Sequence, residues 1–167
     1  MVTKERFTQG MTFQQYLDQM TTNKEKFLQN MADVKLRPED KAPFANRREK
    51  LNVLVITEDW CGDAITNFPV LARMVEGAPN VGMRVFLRDR NPDLMDQYLN
   101  QGMFRSIPVF VFFDDQMNEL ARFIERPPSV TDYMEKKQLE LRRAMREEKK
   151  DEWRQAAVDE LKTLLKA

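Results

Sequence analysis

Thr57-Glu58-Asp59-Trp60-Cys61-Gly62-Asp63-Ala64 is the stretch where a run of apolar residues ends and a helical pattern begins. The residues before it, 51–56, form a short β-branched run, which predicts a strand buried on both faces. After it, apolar side chains recur at the spacing of one helix face, at Ile65, Phe68, Leu71, Ala72 and Val75. Cys61 therefore lies at the N-terminus of a predicted helix, where unpaired backbone N–H groups and the helix dipole favour the thiolate.

The block Trp60-Cys61-Gly62-Asp63 resembles the Trp-Cys-Gly-x-Cys active site of the thioredoxin superfamily. Pro69 stands eight residues after the cysteine, where that family has the proline that kinks the active-site helix. Ser106-Ile107-Pro108, followed by the apolar run 109–113, resembles the family's cis-proline loop and the strand that this loop enters. The similarity covers about residues 50–126. It is greatest to a small group of bacterial thioredoxin-like proteins, with which we also associate stretches 88–92 and 94–99.

Two departures from the family pattern concern the second half of its redox cycle. The second, resolving cysteine would stand at position 64, where this chain has Ala64. The buried acid that assists the second thiol would fall six residues before Cys61, where this chain has Val55. An acid that serves a resolving thiol has no task once that thiol is gone, so a dithiol cycle within this chain is excluded.

The resemblance implies an α/β protein with a thioredoxin-like fold, in which a central mixed sheet of about four strands is flanked by helices. We expect a single domain over residues 1–167, made of a helical arm 1–49, a core 50–128 and a C-terminal helical extension 129–167. The resemblance also implies a catalytic Cys61 and a substrate-binding set of Trp60, Gly62, Asp63, Ile107 and Pro108. The residues alone leave Trp60 as either a substrate platform or a packing residue, and Pro108 as either part of the site or an ordinary strand-initiating proline.

Periodicity predicts the elements around this core. Residues 11–34 read as two short helices that meet near Thr21, with capping-box spacing at Thr12–Gln15 and Thr22–Glu25. Two prolines within 37–43 predict a connector without regular structure. Beyond the active-site helix we expect a parallel strand at 83–88, a helix over about 91–100, an antiparallel hairpin strand at 119–124, and helix from 129 almost to the end.

Composition limits the class of protein. Lys+Arg and Asp+Glu both total 27, so no net charge attracts nucleic acid or an anionic membrane, and neither is expected as a partner. No N-terminal signal or membrane-spanning run is present, and a single cysteine fits a reducing compartment, so we expect a cytoplasmic protein. The absence of histidine excludes Ser-His-Asp and Cys-His catalysis, and we expect neither a metal nor another cofactor.

The sequence leaves several functions open. The leading interpretation is a thiol-disulfide oxidoreductase that uses Cys61 alone, with a protein or low-molecular-weight disulfide as substrate and an external thiol to resolve the mixed disulfide. The alternatives are a redox-inactive module that binds a peptide beside Ile107 and Pro108, a sensor whose Cys61 is oxidised to sulfenic acid, and an inert thiol. Ala64 could also have been introduced as a substrate trap. The helical extensions could mediate a homodimer.

Three carboxylates near the sulfur oppose thiolate formation. Glu58, Asp59 and Asp63 all stand within three residues of Cys61, and like charge disfavours an anionic sulfur. The helix N-terminus acts in the opposite direction. The sequence does not decide which effect is larger.

Overall fold

A computed structural model describes residues 1–164, which divide into two compact units, one over Met1–Arg126 and a second that begins at Pro127. The first unit contains the helices α1 (Lys4–Thr8), α2 (Phe13–Gln19), α3 (Lys24–Asp33), α4 (Pro38–Ala45), α5 (Gly62–Val75) and α6 (Pro92–Met95). Its strands are β1 (Leu51–Thr57), β2 (Val81–Leu87), β3 (Val109–Phe113) and β4 (Glu119–Ile124), and a short 3₁₀ helix covers Arg88–Arg90. The second unit contains α7 (Pro128–Glu148) and α8 (Lys150–Leu164).

The strands form one mixed sheet in the order β2-β1-β3-β4. β1 pairs in parallel with β2 and antiparallel with β3, and β3 pairs antiparallel with β4. All seven residues of β1 are buried, because this central strand is covered on both faces. The predicted α/β fold, with its four-stranded mixed sheet flanked by helices, is confirmed.

The helical arm covers one face of the sheet through an aromatic cluster. Phe68 of α5 lies at its centre, with ring centroids 5.4 Å from Tyr16 of α2 and 5.5 Å from Phe27 of α3. The side-chain amide of Asn30 donates to the carbonyl of Ile65 at 2.8 Å, which adds a polar contact between α3 and α5. The arm and α5 therefore share a core.

The arm's helices confirm the predicted break near Thr21 and the capping box at Thr12–Gln15. The second predicted capping box, at Thr22–Glu25, is wrong. Asn23, with φ of 57°, is the residue that precedes α3, while the backbone N–H of Thr22 donates to the carboxylate of Asp59. A long-range acceptor has therefore replaced the local one.

The connector predicted at 37–43 is also wrong, because α4 occupies Pro38–Ala45. Pro38 stands in the first turn, where a missing N–H costs nothing. Asp40 closes that turn by accepting from the backbone N–H of Arg37 at 2.8 Å, and the hydrogen bonds from Arg37 lower the pKa of Asp40 to about 2. Pro43 removes one further helical hydrogen bond, which a helix of two turns tolerates.

The helix expected over about 91–100 is shorter than predicted and ends at Met95. Beyond it the backbone closes with turns from Tyr98 to Met95 and from Gln97 to Leu94. Asn100 then pairs with Phe104 in an isolated antiparallel bridge. This bridge turns the chain back towards Pro108, so the second half of the predicted helix becomes a loop.

The second unit consists of two helices without a buried side chain among residues 128–164. In α7 and α8, as far as Leu164, every side chain is at least partly exposed, including those of Tyr133, Leu141 and Trp153. The predicted C-terminal helices are confirmed, with a break at Lys149 inside the charged run 146–152. None of the helices described between residues 1 and 164 combines the length and apolar character needed to cross a membrane.

Candidate functional site

Cys61 occupies the turn between β1 and α5. It is the residue that precedes the first turn of α5, with extended φ and ψ of −81° and 121°, and its carbonyl accepts from the N–H of Ile65 at 2.9 Å. Its partly exposed Sγ donates to the carbonyl of Ile107 at 3.4 Å. The Ile107–Pro108 peptide bond is cis. The thiol and the loop before β3 therefore face each other.

Sheet topology explains this meeting of residues that lie 46 positions apart. Because β1 and β3 are antiparallel neighbours, the end of β1 lies beside the start of β3, with Ile56 opposite Val109. The segment after β1 begins α5 and carries Cys61. The segment before β3 carries Ile107 and Pro108. Both segments leave the sheet at the same edge.

The other residues predicted for the site surround this pair. Trp60 is half-exposed, and the guanidinium of Arg88 lies 4.7 Å from the centre of its ring. Gly62 is exposed and begins α5, with open space around its Cα. The side chains of Ile107 and Pro108 are buried, so their contribution at the surface comes from the backbone.

Two of the three nearby carboxylates are held by backbone groups. Asp59 is buried, and its Oδ2 accepts from the N–H groups of Thr21 at 2.8 Å and Thr22 at 3.0 Å. Glu58 is buried as well, and its Oε1 accepts from the N–H of Asp89 at 2.9 Å. Burial raises the pKa of Glu58, and the hydrogen bond from Asp89 partly counters this. Both acids are therefore engaged in the structure around the turn.

The third carboxylate, Asp63, forms an ion pair that the sequence analysis missed. Its Oδ2 accepts from Arg126 at 2.8 Å, and the same guanidinium nitrogen also contacts the carboxylate of Glu125. Burial raises the pKa of Asp63, and the positive charge of Arg126 acts against this shift. The register of the β3–β4 hairpin could have indicated the position of Arg126. Ile124 opposes Val109, so Glu125 and Arg126, which follow it, lie beside the loop that contains Pro108.

Two asparagines extend this ion pair into a network around the site. The side-chain amide of Asn67 donates to the carbonyl of Asp63 at 3.0 Å and to that of Glu125 at 3.1 Å. Asn100 donates to the Glu125 carboxylate at 2.8 Å, and the N–H of Glu125 donates to the carbonyl of Pro108 at 2.7 Å. The first turn of α5, the end of β4 and the cis-proline loop are thus fastened together. No local sequence signal predicts these contacts.

The positions of the missing redox partners are apolar. Ala64, where the family has its second cysteine, is fully buried in the first turn of α5. Val55, where the family has a buried acid, is also fully buried in β1. Across residues 1–164, no group of three or more His, Cys, Asp or Glu side chains is arranged to hold a metal ion.

Comparison with known proteins agrees with the fold. A family model described as Thioredoxin matches residues 10–144. A crystal structure of a protein of unknown function from Pseudomonas aeruginosa is similar with a TM-score of 0.67 and 22% identity, covering 79% of this chain and 82% of that one. An HIV epitope scaffold is similar with a TM-score of 0.66 and 23% identity, covering 78% and 82%. No curated protein matches the sequence. The family model spans most of the chain, which belongs to the thioredoxin family.

Proposed function

We propose that this protein is a thiol-disulfide oxidoreductase that acts through Cys61 as its single nucleophile. The observation that carries the proposal is the placement of Sγ, which is partly exposed at the start of α5 and lies 3.4 Å from the carbonyl that precedes the cis proline. A helix N-terminus favours the thiolate, which is the nucleophilic form of cysteine. A thioredoxin family membership supports disulfide chemistry at this position.

The reaction proceeds by two exchanges at one sulfur. The Cys61 thiolate attacks one sulfur of a substrate disulfide, forms a mixed disulfide, and releases the other sulfur as a thiolate that takes a proton from water. An external thiol then attacks Sγ and releases the second substrate thiol, and another external thiol regenerates Cys61. Two external thiols are thus oxidised to one disulfide for each substrate disulfide that is reduced. Buried Ala64 cannot take their place.

The backbone beside Cys61 supports an extended substrate. Within the described part of the chain, the N–H of Ile107 donates no hydrogen bond, so it is available to a strand-like peptide next to the sulfur. Trp60, the residue before Cys61, offers a half-exposed ring. We propose a substrate disulfide within an extended peptide segment. We also propose a cytoplasmic location, because a protein with one thiol depends on a pool of external reductant.

Mixed-disulfide formation tests the proposal. The purified protein is mixed with a disulfide-linked peptide at pH 7, quenched with an alkylating reagent and measured by intact mass spectrometry. We expect one peptide on Cys61, released by dithiothreitol, and none on the Cys61→Ser variant. The matched control is the same protein unfolded in urea, whose thiol reacts at the rate of an ordinary cysteine with a pKa of about 8.5. A folded rate no greater than the unfolded rate would refute the proposal.

One observation favours a second candidate, a peptide-binding module without redox activity. Met103 and Phe104, in the segment that leads to the cis-proline loop, are both more than half exposed. Exposed large apolar side chains beside a site are typical of binding surfaces. Under this alternative, the Cys61→Ser variant retains full binding to its peptide and full biological activity. Under the leading proposal, it loses the exchange reaction entirely.

A further inference from the structure

We propose that Arg126 is a positioning residue that sets the reactivity of Cys61 through Asp63. The inference rests on the proposed function, because it assigns Arg126 a role in the chemistry of that thiol. Arg126 follows β4 and reaches across to the first turn of α5, where its guanidinium lies 2.8 Å from Asp63. Asp63 is two residues after Cys61, in the same helical turn.

The ion pair lies in the helical turn that begins at Cys61, and it is largely shielded from solvent. The side chain of Arg126 is only 18% exposed and that of Asp63 34%, so solvent screens the pair less than it screens an exposed one. Arg126 also contacts the carboxylate of Glu125, which would otherwise bring a second negative charge to the site. Glu125 in turn donates its N–H to Pro108 at 2.7 Å. One guanidinium thus contacts two carboxylates and offsets one of their two negative charges.

The remaining charged groups near Cys61 are fixed by other contacts. Asp59 accepts from the backbone of the arm, and Glu58 accepts from the N–H of Asp89. Arg88 pairs with Asp89 and covers Trp60. Tyr16, on α2, has a pKa raised by burial and is therefore neutral near pH 7. Among these groups, Asp63 is the acid that lies in α5 itself, and its negative charge is paired with the side chain of Arg126.

The direction of the effect follows from Coulomb interactions. When Arg126 is removed, Asp63 and Glu125 keep their negative charges near the sulfur, and like charge disfavours the thiolate. The pH at which Cys61 becomes reactive should then rise, and the thiolate fraction at neutral pH should fall. When Asp63 is also neutralised, most of the penalty should disappear. This reversal distinguishes an electrostatic role from a merely structural one.

The test is the pH profile of Cys61 alkylation by uncharged iodoacetamide between pH 5 and 10, measured on the full-length protein. For Arg126→Gln we expect the midpoint to rise by about 0.5 to 1 unit, which is a three- to tenfold slower reaction at neutral pH. Asp63→Asn should lower the midpoint below the wild-type value, and the double variant should return to within about 0.3 unit of wild type. The matched control is Arg122→Gln, which removes a β4 arginine paired with Glu119.

Several outcomes would overturn the inference. They are a wild-type profile in Arg126→Gln, an equal rise in Arg122→Gln, and a double variant as slow as Arg126→Gln alone. If Arg126→Gln does not fold by circular dichroism, Asp63→Asn serves instead; its midpoint should fall below the wild-type value, and an unchanged midpoint would overturn the inference. Failure of the proposed function is distinguishable, because wild type itself would then form no mixed disulfide. A wild type that forms the adduct while Arg126→Gln keeps its profile removes only the role of Arg126.

Discussion

Replacing Asp59 with Ala should destabilise the protein, because it removes hydrogen bonds between the helical arm and the turn that joins β1 to α5. The Asp59 carboxylate is buried, and one of its oxygens accepts from the N–H groups of Thr21 and Thr22, at 2.8 and 3.0 Å. The hydroxyl of Thr21 contacts the same oxygen at 3.4 Å. In the Ala variant, these donors lose an ionised acceptor, while the side-chain amide of Asn23 keeps its hydrogen bond to the backbone carbonyl of residue 59, which is 3.0 Å long in the wild type.

The magnitude follows from the number and kind of these bonds. A hydrogen bond to a charged group contributes about 1.5–3 kcal/mol to stability. Two such bonds share one oxygen, and both threonines are partly open to water, so the donors regain some of the loss by hydration. We therefore expect the free energy of unfolding to fall by about 2–3 kcal/mol. Removal of a negative charge near Cys61 should not slow its alkylation.

Urea unfolding followed by circular dichroism measures this loss, and the exposed arm residue Asp18 provides the control. Asp18 accepts one solvent-facing hydrogen bond from Gln14, so Asp18→Ala should change the free energy by less than about 0.5 kcal/mol. A loss below about 1 kcal/mol in Asp59→Ala would show that the contacts to the arm contribute little. If Asp59→Ala slowed the alkylation of Cys61 severalfold, this would contradict our interpretation that Asp59 has a purely structural role.

Four further predictions concern the thiol, the core, the alkaline limit and the C-terminal helices. Ala64→Cys should form a disulfide with Cys61 under mild oxidation, seen as loss of two free thiols, whereas Ala64→Ser should retain one. Phe68→Ala should lower the free energy of unfolding by about 3–5 kcal/mol in urea, because Phe68 is fully buried within an aromatic cluster; a loss under 1 kcal/mol would contradict that packing. Burial raises the pKa of Tyr98 to about 12 from 10.0, so its stabilising effect is present below pH 10 and is lost as the pH rises towards 12; Tyr98→Phe should unfold at higher pH, and an unchanged midpoint would count against it. Residues 128–164 carry as many acidic as basic side chains and leave Trp153 exposed, so we propose that a second copy covers them. Sedimentation velocity should show a dimer that Trp153→Glu weakens. A wild-type monomer at about 100 µM, a concentration at which a dimer with a Kd of about 1 µM is mostly associated, would refute this proposal.

The sequence predicted the strands and helices whose residues show a clear apolar pattern. The buried run 51–56 and the strand after Pro108 were both recognisable, and antiparallel pairing of these strands brings Cys61 to Ile107. The helices of the arm followed from their apolar period, and the break near Thr21 from two separate helix starts. The positions of these helices and strands depend on local residue types, whereas the placement of Ile107 and Pro108 beside Cys61 is what the resemblance to the thioredoxin superfamily implies.

The errors occurred where a local rule met a competing contact. Two prolines predicted a connector, but the Arg37–Asp40 turn and the tolerated position of Pro38 allowed α4 to form. Beyond Met95, the bridge between Asn100 and Phe104 replaced the predicted helix. In each case the deciding interaction is a short-range hydrogen bond that the positions of prolines and apolar residues do not predict.

The Asp63–Arg126 pair was missed for a different reason, since it joins residues 63 positions apart with no periodicity between them. It changes the chemical interpretation, however. The sequence placed three carboxylates near the sulfur without showing what held them, whereas the structure gives Asp59 and Glu58 backbone donors and gives Asp63 a guanidinium. The guanidinium of Arg126 offsets one negative charge beside the turn of Cys61, and Glu125, which shares that guanidinium, adds one that the residue count had left out.

The same network bears on the proposed reaction of Cys61 without a second thiol. Asp63 and Asn67 flank Ala64 in the first turns of α5, and both are tied to the segment after β4 through Arg126 and Glu125. A turn fastened in this way presents Cys61 in one arrangement, while the buried position of residue 64 offers no sulfur behind it. Under the proposed mechanism, the substrate disulfide and the external thiol would both reach Sγ from its exposed side, one after the other. Selection between them falls to the surface around Cys61, where Trp60 and the backbone of Ile107 lie.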